Sequence, residues 1–586
     1  MRARLSAAVA AAAAIVAGAA PGVARAGDPI MPLSELRPGM RCTGYSVIRG
    51  TQITSFDVDV VDVVSGDAAS NDGPRILVRV SGPAVERTGV GPGFSGSPIY
   101  CRDGAGTARN AGAISESIGE FGGRTVLATP IEEILANPPD APRPRPIARR
   151  GSDRARIDRV LRLADPLTVS GLRPALARRL TEAGARAHRT IIAAPAMPLA
   201  PFPAQPPRPG SSLSVGYSSG DLAVGAVGTV AYVDGNRVWG FGHPFENSGL
   251  RSLLLQDAYV YTVISNPNVG EDTGSTYKLA TAGHTLGTIS NDATAAVVGR
   301  TGPPPATVPV RVFTEDEDTG ARATLGAHVV DETDAGTPTG TSALTFVGPL
   351  ALAQGASSIL RSAPGKLSGT VCVQISLRER RRPLRFCNRY ASGVAPSDPE
   401  SGENIVAAGG AADALTALTE LDDFKRRPLH VMEFAARVKL RRGLRQAFLR
   451  SVTLPRRVSR GRRVRVRLNL QVVRGARITR SFRVRIPHAV RPGRRRLTFV
   501  GRDVDDPDSD LFGALIETIS LGGEEEEEDR AGDPGARSLD ELADRVRAVA
   551  RYDGVTLHAG GRRLRAYRDA DIRISGRASR TVRVRR

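Results

Sequence analysis

The sequence predicts a mainly β protein built from several modules, and three observations carry that expectation. At 586 residues the chain exceeds what one hydrophobic core supports, so about three or four domains are expected. It holds 63 Gly and 41 Pro, the residues that punctuate turns. Its apolar residues fall mostly in short alternating runs of Val, Ile and Leu, the period of strands rather than of long helices.

The N-terminus reads as a signal peptide over residues 1–26, with an uncleaved anchor as the alternative, against which stand its alanine-rich, short apolar stretch and the helix-breaking Pro21-Gly22. Arg2 and Arg4 precede an apolar stretch over 5–20, and Ala24-Arg25-Ala26 has the small-x-small pattern cut by signal peptidase. The expected mature chain begins near Gly27 and is secreted or cell-envelope associated. No later run approaches the roughly 18 apolar residues of a spanning helix, so no integral membrane span is expected after cleavage.

The formal charge is +21. Only Lys278, Lys366, Lys425 and Lys439 among the 81 basic residues are lysine, a skew that GC-rich coding produces without selection for phosphate contacts. Nucleic acid is not an expected partner of an exported chain. An anionic cell-envelope polymer or lipid headgroup stays open. Four cysteines without a Cys-x-x-Cys spacing argue against a metal site. Sequence proximity favours disulfides Cys42–Cys101 and Cys372–Cys387, with other connectivities and free thiols left open.

Residues 27–138 read as a compact β unit, with strands at 42–48, 56–64, 75–80, 112–117 and 125–129 and a closing helix at 130–136. A connector over 139–211 is rich in proline at both ends and has helical periodicity at 174–184. A second β unit covers 212–330, where 224–232 and 237–241 form a hairpin across Val233-Asp234-Gly235-Asn236, since Asp-Gly is a strong turn signal. A β-rich module is expected at 331–428, with strands over 344–388, and a basic β-sandwich-like module at 429–521. In the latter, Arg463-Val464-Arg465-Val466-Arg467-Leu468 puts arginines on one face and aliphatics on the other. Glu524 to Glu528 mark an acidic linker at 522–537. A small α+β segment follows at 538–586, its helix opened by Ser538 with Glu541 three residues on, a capping box.

Gly93-Phe94-Ser95-Gly96-Ser97-Pro98-Ile99 is the most informative heptad. A nucleophilic serine needs backbone N–H groups converging on the developing oxyanion, and flanking glycines allow the tight loop that aims them. Gly93 and Ser95 would supply those donors. An ordinary glycine-serine turn fits the same residues. An α/β-hydrolase elbow does not, because position 97 is Ser and the following residues read as a strand.

Phe56-Asp57-Val58-Asp59-Val60, Arg79-Val80-Ser81-Gly82-Pro83, Glu86-Arg87-Thr88-Gly89, the serine heptad, Ala111-Gly112-Ala113-Ile114 and Thr129-Pro130-Ile131-Glu132-Glu133 together resemble the serine half of the SpoIVB family of serine peptidases, the stage IV sporulation protein B type. Gly228-Thr229-Val230-Ala231-Tyr232-Val233-Asp234 and Gly240-Phe241-Gly242-His243-Pro244-Phe245 are similar to its histidine half. The resemblance covers about residues 30–138 and 212–315, with the halves in permuted order and without the family's PDZ module. It implies a chymotrypsin-like two-barrel peptidase unit, followed here by the β-sandwich-like C-terminal modules, with Ser95 as nucleophile and His243 as general base. No cofactor or metal is implied.

Gly82 occupies the position matching the family's acidic residue. Asp292, in the histidine-bearing half, is the replacement candidate, although Asn291-Asp292 also suits a turn. Asp234 serves the hairpin, and Glu86 has no clear role. The function that follows is an exported serine endopeptidase acting on a protein or peptide substrate through an acyl-enzyme. Two rivals stay open: a catalytically silent scaffold with the peptidase fold, and an envelope-binding protein acting through the basic module.

Overall fold

The structure, a computed structural model, describes residues 27–586 except 66–72, 118–122, 141–165, 197–200, 266–275, 336–341, 361–366, 392–403, 444, 502–510, 521–534, 550–553 and 570. The expected signal peptide and Glu524–Glu528 lie outside the described residues. The protein is mainly β, with 28 strands and six α-helices among the described residues. None of the described helices is long and apolar enough to cross a membrane.

The first unit is a closed barrel of β1 (Arg41–Arg49), β2 (Gln52–Val64), β3 (Arg75–Ser81), β4 (Pro98–Arg102), β5 (Ala108–Ser117) and β6 (Thr125–Pro130), paired antiparallel in the order β1-β2-β3-β6-β5-β4. Alternation drives it. Phe56, Val58 and Val60 of β2 point inward while Asp57 and Asp59 face out, so the pleat sorts apolar from charged residues. Cys42 and Cys101 face each other where β1 meets β4 and form a disulfide. The helix α1 (Ile131–Leu135) follows β6.

Next come β7 (Leu167–Ser170), α2 (Pro174–Arg186) and β8 (Ile191–Ala194), then β9 (Ser212–Gly220), β10 (Ala223–Asp234), β11 (Arg237–Gly240), β12 (Gly249–Ser265), β13 (Thr276–Ala293) and β14 (Ala296–Thr301). Strands β9, β12, β13, β14, β11 and β10 pair in that order, and β10 pairs back to β9, which closes a second antiparallel circuit. Counted from its own first strand, the second circuit has the same strand order as the first barrel. The β10–β11 hairpin turns at Gly235-Asn236 with Asp234 opposite Arg237, and Gly235 has φ of 60°.

The region expected as a connector does more than connect. β7 pairs with β10, and β8 runs parallel to β7 with α2 between them, so 167–194 extends the second sheet. On the other side, β16 (Arg322–Val330) joins β9, β15 (Thr307–Asp316) joins β16, and β19 (Val431–Arg442), β17 (Leu367–Leu377) and β18 (Arg380–Ala391) continue the sheet. Cys372 and Cys387 pair across β17 and β18 as a disulfide. Strands expected over 344–388 are only partly present, because Ala343–Ser358 is a helix, α3. It is buried on all sides, so it shows no amphipathic period to distinguish it from a strand core. The helix α4 (Ile405–Asp422) packs beside it in the same core.

The basic module begins later than expected, since β19 belongs to the large sheet. Its sandwich packs the sheet of β23 (Arg477–Arg485), β22 (Arg463–Val472), β20 (Gln446–Thr453) and β27 (Arg573–Ser575) on that of β21 (Arg457–Ser459), β28 (Arg577–Arg585), β24 (Gly493–Gly501), β25 (Val555–Ala559) and β26 (Arg562–Tyr567). Residues 538–586 are therefore no separate unit. α5 (Leu511–Ser520) and α6 (Leu539–Ala548) bury apolar side chains in the large core, whereas β25–β28 complete the sandwich. Ser538 caps α6 by accepting the Glu541 N–H at 3.2 Å.

Candidate active site

Ser95 lies on the connection between β3 and β4. Two tight turns shape it: Phe94 N–H donates to Gly91 O at 2.9 Å and Ser97 N–H to Phe94 O at 2.8 Å. Gly93 and Gly96, with φ of 91° and 89°, occupy the third position of each turn. That position in a type II turn needs positive φ, which explains Pro92-Gly93 and Ser95-Gly96 in the sequence. Gly96 N–H donates to Ile114 O at 2.7 Å, so β5 holds the second turn. Gly82 also has positive φ, 98°, a conformation in which any side chain, an acidic one included, would be strained.

His243 follows β11, on the equivalent connection of the second circuit. Phe241 and Gly242 both have positive φ, 67° and 72°, and bend the chain sharply. Gly242 O accepts the Thr129 hydroxyl at 2.7 Å, which pins the bend to the first barrel. The two motifs meet. Thr229 of β10 donates its N–H to Ser95 O at 2.8 Å and its hydroxyl to Gly93 O at 3.0 Å. A Cβ on Gly96 would collide with Thr229 O and stand 2.6 Å from Phe241 N. Only a glycine lets the serine turn and the histidine bend approach this closely. Ser95 and His243 are 7% and 9% exposed, so both side chains are largely shielded from solvent.

His243 Nδ1 is 2.8 Å from Pro244 O. A carbonyl only accepts, so Nδ1 carries the proton and Nε2 of the neutral ring keeps its lone pair. Asp292, at the end of β13, is fully buried. Its carboxylate accepts N–H groups of Phe245 at 2.6 Å, Glu246 at 2.7 Å and Ser248 at 3.2 Å, which fixes the backbone immediately after His243. Burial pushes its carboxyl above the usual range, while those N–H groups and Arg251 pull it back. Arg251, itself buried, ties Glu246 to Glu332 at 2.6 and 2.9 Å, and Glu246 also takes the Tyr217 hydroxyl. Asp234 sits in the β10–β11 turn, and Glu86 N–H donates to Gly82 O in the turn after β3.

Lys278 is the residue that sequence reasoning missed. It comes from β13 and reaches the serine loop from the second circuit. Its Nζ donates to Ser46 Oγ at 2.8 Å and Thr229 Oγ1 at 3.1 Å and lies 4.6 Å from the Phe94 ring centroid. Ser97 Oγ donates to Ser46 Oγ at 2.8 Å. The backbone N–H of Lys278 donates to Pro92 O at 3.0 Å, and a Cβ on Gly93 would press on the lysine stem. With hydroxyls and a ring face but no carboxylate beside it, burial lowers the amine from 10.5 to about 7. A lone lysine in an alternating run reads as solvated, so no signal in the sequence marked it. Comparisons with models of protein families, with curated proteins and with solved structures find no match for this chain.

Proposed function

We propose that the chain is an exported serine endopeptidase of the SpoIVB-like type, with Ser95 as nucleophile and His243 as general base. One observation carries the reading. Two circuits of the same strand order bring the same connection, third strand to fourth, to a common seam, one bearing the serine turn and the other the histidine bend.

His243 Nε2 takes the Ser95 hydroxyl proton as the serine attacks a peptide carbonyl, and returns it to the leaving amine. Water then attacks the acyl-enzyme by the same route. The N–H groups of Gly93 and Ser95 hold the oxyanion. The carbonyl of Pro244 fixes the imidazole tautomer. Asp292 acts as a positioning residue by holding the turn that follows His243. Neither metal nor cofactor enters this scheme.

Labelling of the full secreted chain by a fluorophosphonate tests it. Modification confined to Ser95, abolished in Ser95→Ala and slowed about 10²- to 10⁴-fold in His243→Ala, is the expected result. Refusal of the folded parent protein to react would favour the silent scaffold.

A further inference from the structure

We infer that the outward face of the β20–β22–β23 sheet is a docking track for a linear phosphate-bearing polymer, a function that stands apart from the peptidase reading. No Asp or Glu occurs between Glu433 and Asp503, a stretch in which about every third residue is arginine. The sandwich turns this composition into geometry. Along β22, Val466, Leu468 and Leu470 enter the core, and on β23 Val484 does the same. Arg463, Arg465 and Arg467 project outward from β22, and Arg477, Arg483 and Arg485 from β23.

Register places Arg463 directly opposite Arg485 and Arg465 directly opposite Arg483. Like charges facing each other across a strand pair work against the sheet, and among the described residues none of these six arginines forms an ion pair. The nearby Arg480–Asp569 pair lies on the other side of β23, beside the Phe482–Tyr567 ring stack. Alternate residues on a strand are about 7 Å apart and neighbouring strands about 5 Å apart. The result is two adjoining rows of guanidinium groups, a pattern matched by anions repeated along a line. Planar guanidinium forks suit phosphate oxygens. Polar Asn469, Thr479 and Ser481 continue the rows, with Asn469 bonded to Ser451 at 2.8 Å. Phe448 of β20 is exposed on the same face, on the rung of Gln471 and Arg477 at one end, while the stretch formed by Arg463, Arg465, Arg467, Arg483 and Arg485 carries no apolar side chain on its outward face to enter a bilayer.

The test is fluorescence anisotropy of labelled inorganic polyphosphate titrated with the full secreted chain across a salt series. Contacts from the five contiguous arginines, all but Arg477, give a slope of log K against log salt of about −3.5, a loss of roughly 100-fold between 50 and 200 mM salt. Arg465→Glu with Arg483→Glu should weaken binding at least about tenfold and flatten the slope by about 1.4. Arg465→Gln with Arg483→Gln repeats the test should the reversal not fold. Arg381→Glu with Arg382→Glu, exposed on β18, makes the same change in net charge elsewhere and should leave binding within about twofold. Equal loss in that control would overturn the track in favour of diffuse charge. Binding to phosphatidylglycerol vesicles without binding to polyphosphate would overturn it in favour of a membrane surface.

Discussion

Replacing Lys278 by methionine keeps an unbranched stem against Gly93 and removes the amine. The unfolded chain holds that proton up to about pH 10.5, whereas the folded chain releases it near about 7. Between those values the unfolded state binds more protons, so stability of the parent protein rises with pH across the window and is flat below it. The displacement corresponds to roughly 5 kcal/mol over the whole window, and to about 3 kcal/mol between pH 7 and 9.5. Methionine does not titrate, so the variant should gain on the parent at pH 6 and lose that advantage toward pH 9.5. Hydroxyls freed by the change offset part of the gain, although Ser46 and Thr229 are already 3.3 Å apart and can pair with each other. Trp239, the sole tryptophan, is buried between the first barrel and the second circuit with its Nε1 donating to Asn137 O at 2.8 Å, so its fluorescence in urea reports unfolding of this unit. A stability difference constant within about 1 kcal/mol over that pH range would refute the claim that the amine is desolvated. Fluorophosphonate labelling of the same variant should slow while the Trp239 transition stays cooperative, because the loss is one of loop placement.

Gly96→Ala drives a Cβ into Thr229 O at positive φ; the Trp239 unfolding transition should lose at least about 2 kcal/mol and labelling of Ser95 should fail. Asp292→Asn turns an amide NH₂ toward a backbone N–H, costing about 1–3 kcal/mol, and labelling should slow tenfold or more; a rate within twofold of the parent would remove Asp292 from the site. His430 lies between Glu379 at 2.6 Å and Asp334 at 2.8 Å, and its bonds to Asp334 and then Glu379 raise its pKa. Its contribution is fully present below about pH 6.5 and is lost as pH rises through the raised folded value, so His430→Ala should lower the melting temperature more at pH 5.5 than at pH 8.5.

Much of the fold was legible where local chemistry and tertiary structure agree. Pro92-Gly93 and Ser95-Gly96 announce turns that need positive φ, Asp234-Gly235 marks its hairpin, and the alternation of β1 to β6 is that of strands with one buried face. The helix α3 was not legible, because Leu344 to Leu352 are almost all apolar and burial on every side erases the period. The boundary near 443–445 was invisible for a related reason: β19 and β22 alternate apolar and basic residues alike, and only their partners assign one to the large sheet and the other to the sandwich. Of the site, Ser95, His243 and the glycines were readable as motifs. The hold of Asp292 on the 245–248 backbone and the reach of Lys278 across the seam depend on contacts far apart in sequence, which no local pattern encodes.

The seam explains why the order of the halves can be indifferent to chemistry. Each circuit closes through its own pairings, so neither needs the other to satisfy its strand edges. Two apolar clusters join them, Ala113, Ile131 and Ile134 against Ala231, Tyr232 and Trp239, and Val47 against Val227, Ala258, Val260 and Ala280, together with hydrogen bonds such as those exchanged by Gly50 and Val260 and that from Thr129 to Gly242 O. Such apolar contacts hold the two circuits together but fix their register weakly, since apolar contact is non-directional. The buried hydroxyls of Ser46, Ser97 and Thr229, gathered on Lys278 and bonded onward to Gly93 O, supply the direction that the apolar clusters lack. A slip of the seam by one residue would orphan several of those groups at once, a penalty that grows with the dryness of the surroundings. The polar network therefore acts with the backbone bonds across the seam to convert two closed circuits into one placement of Ser95 against the histidine bend, and the desolvated amine of Lys278 is the cost of that arrangement at neutral pH.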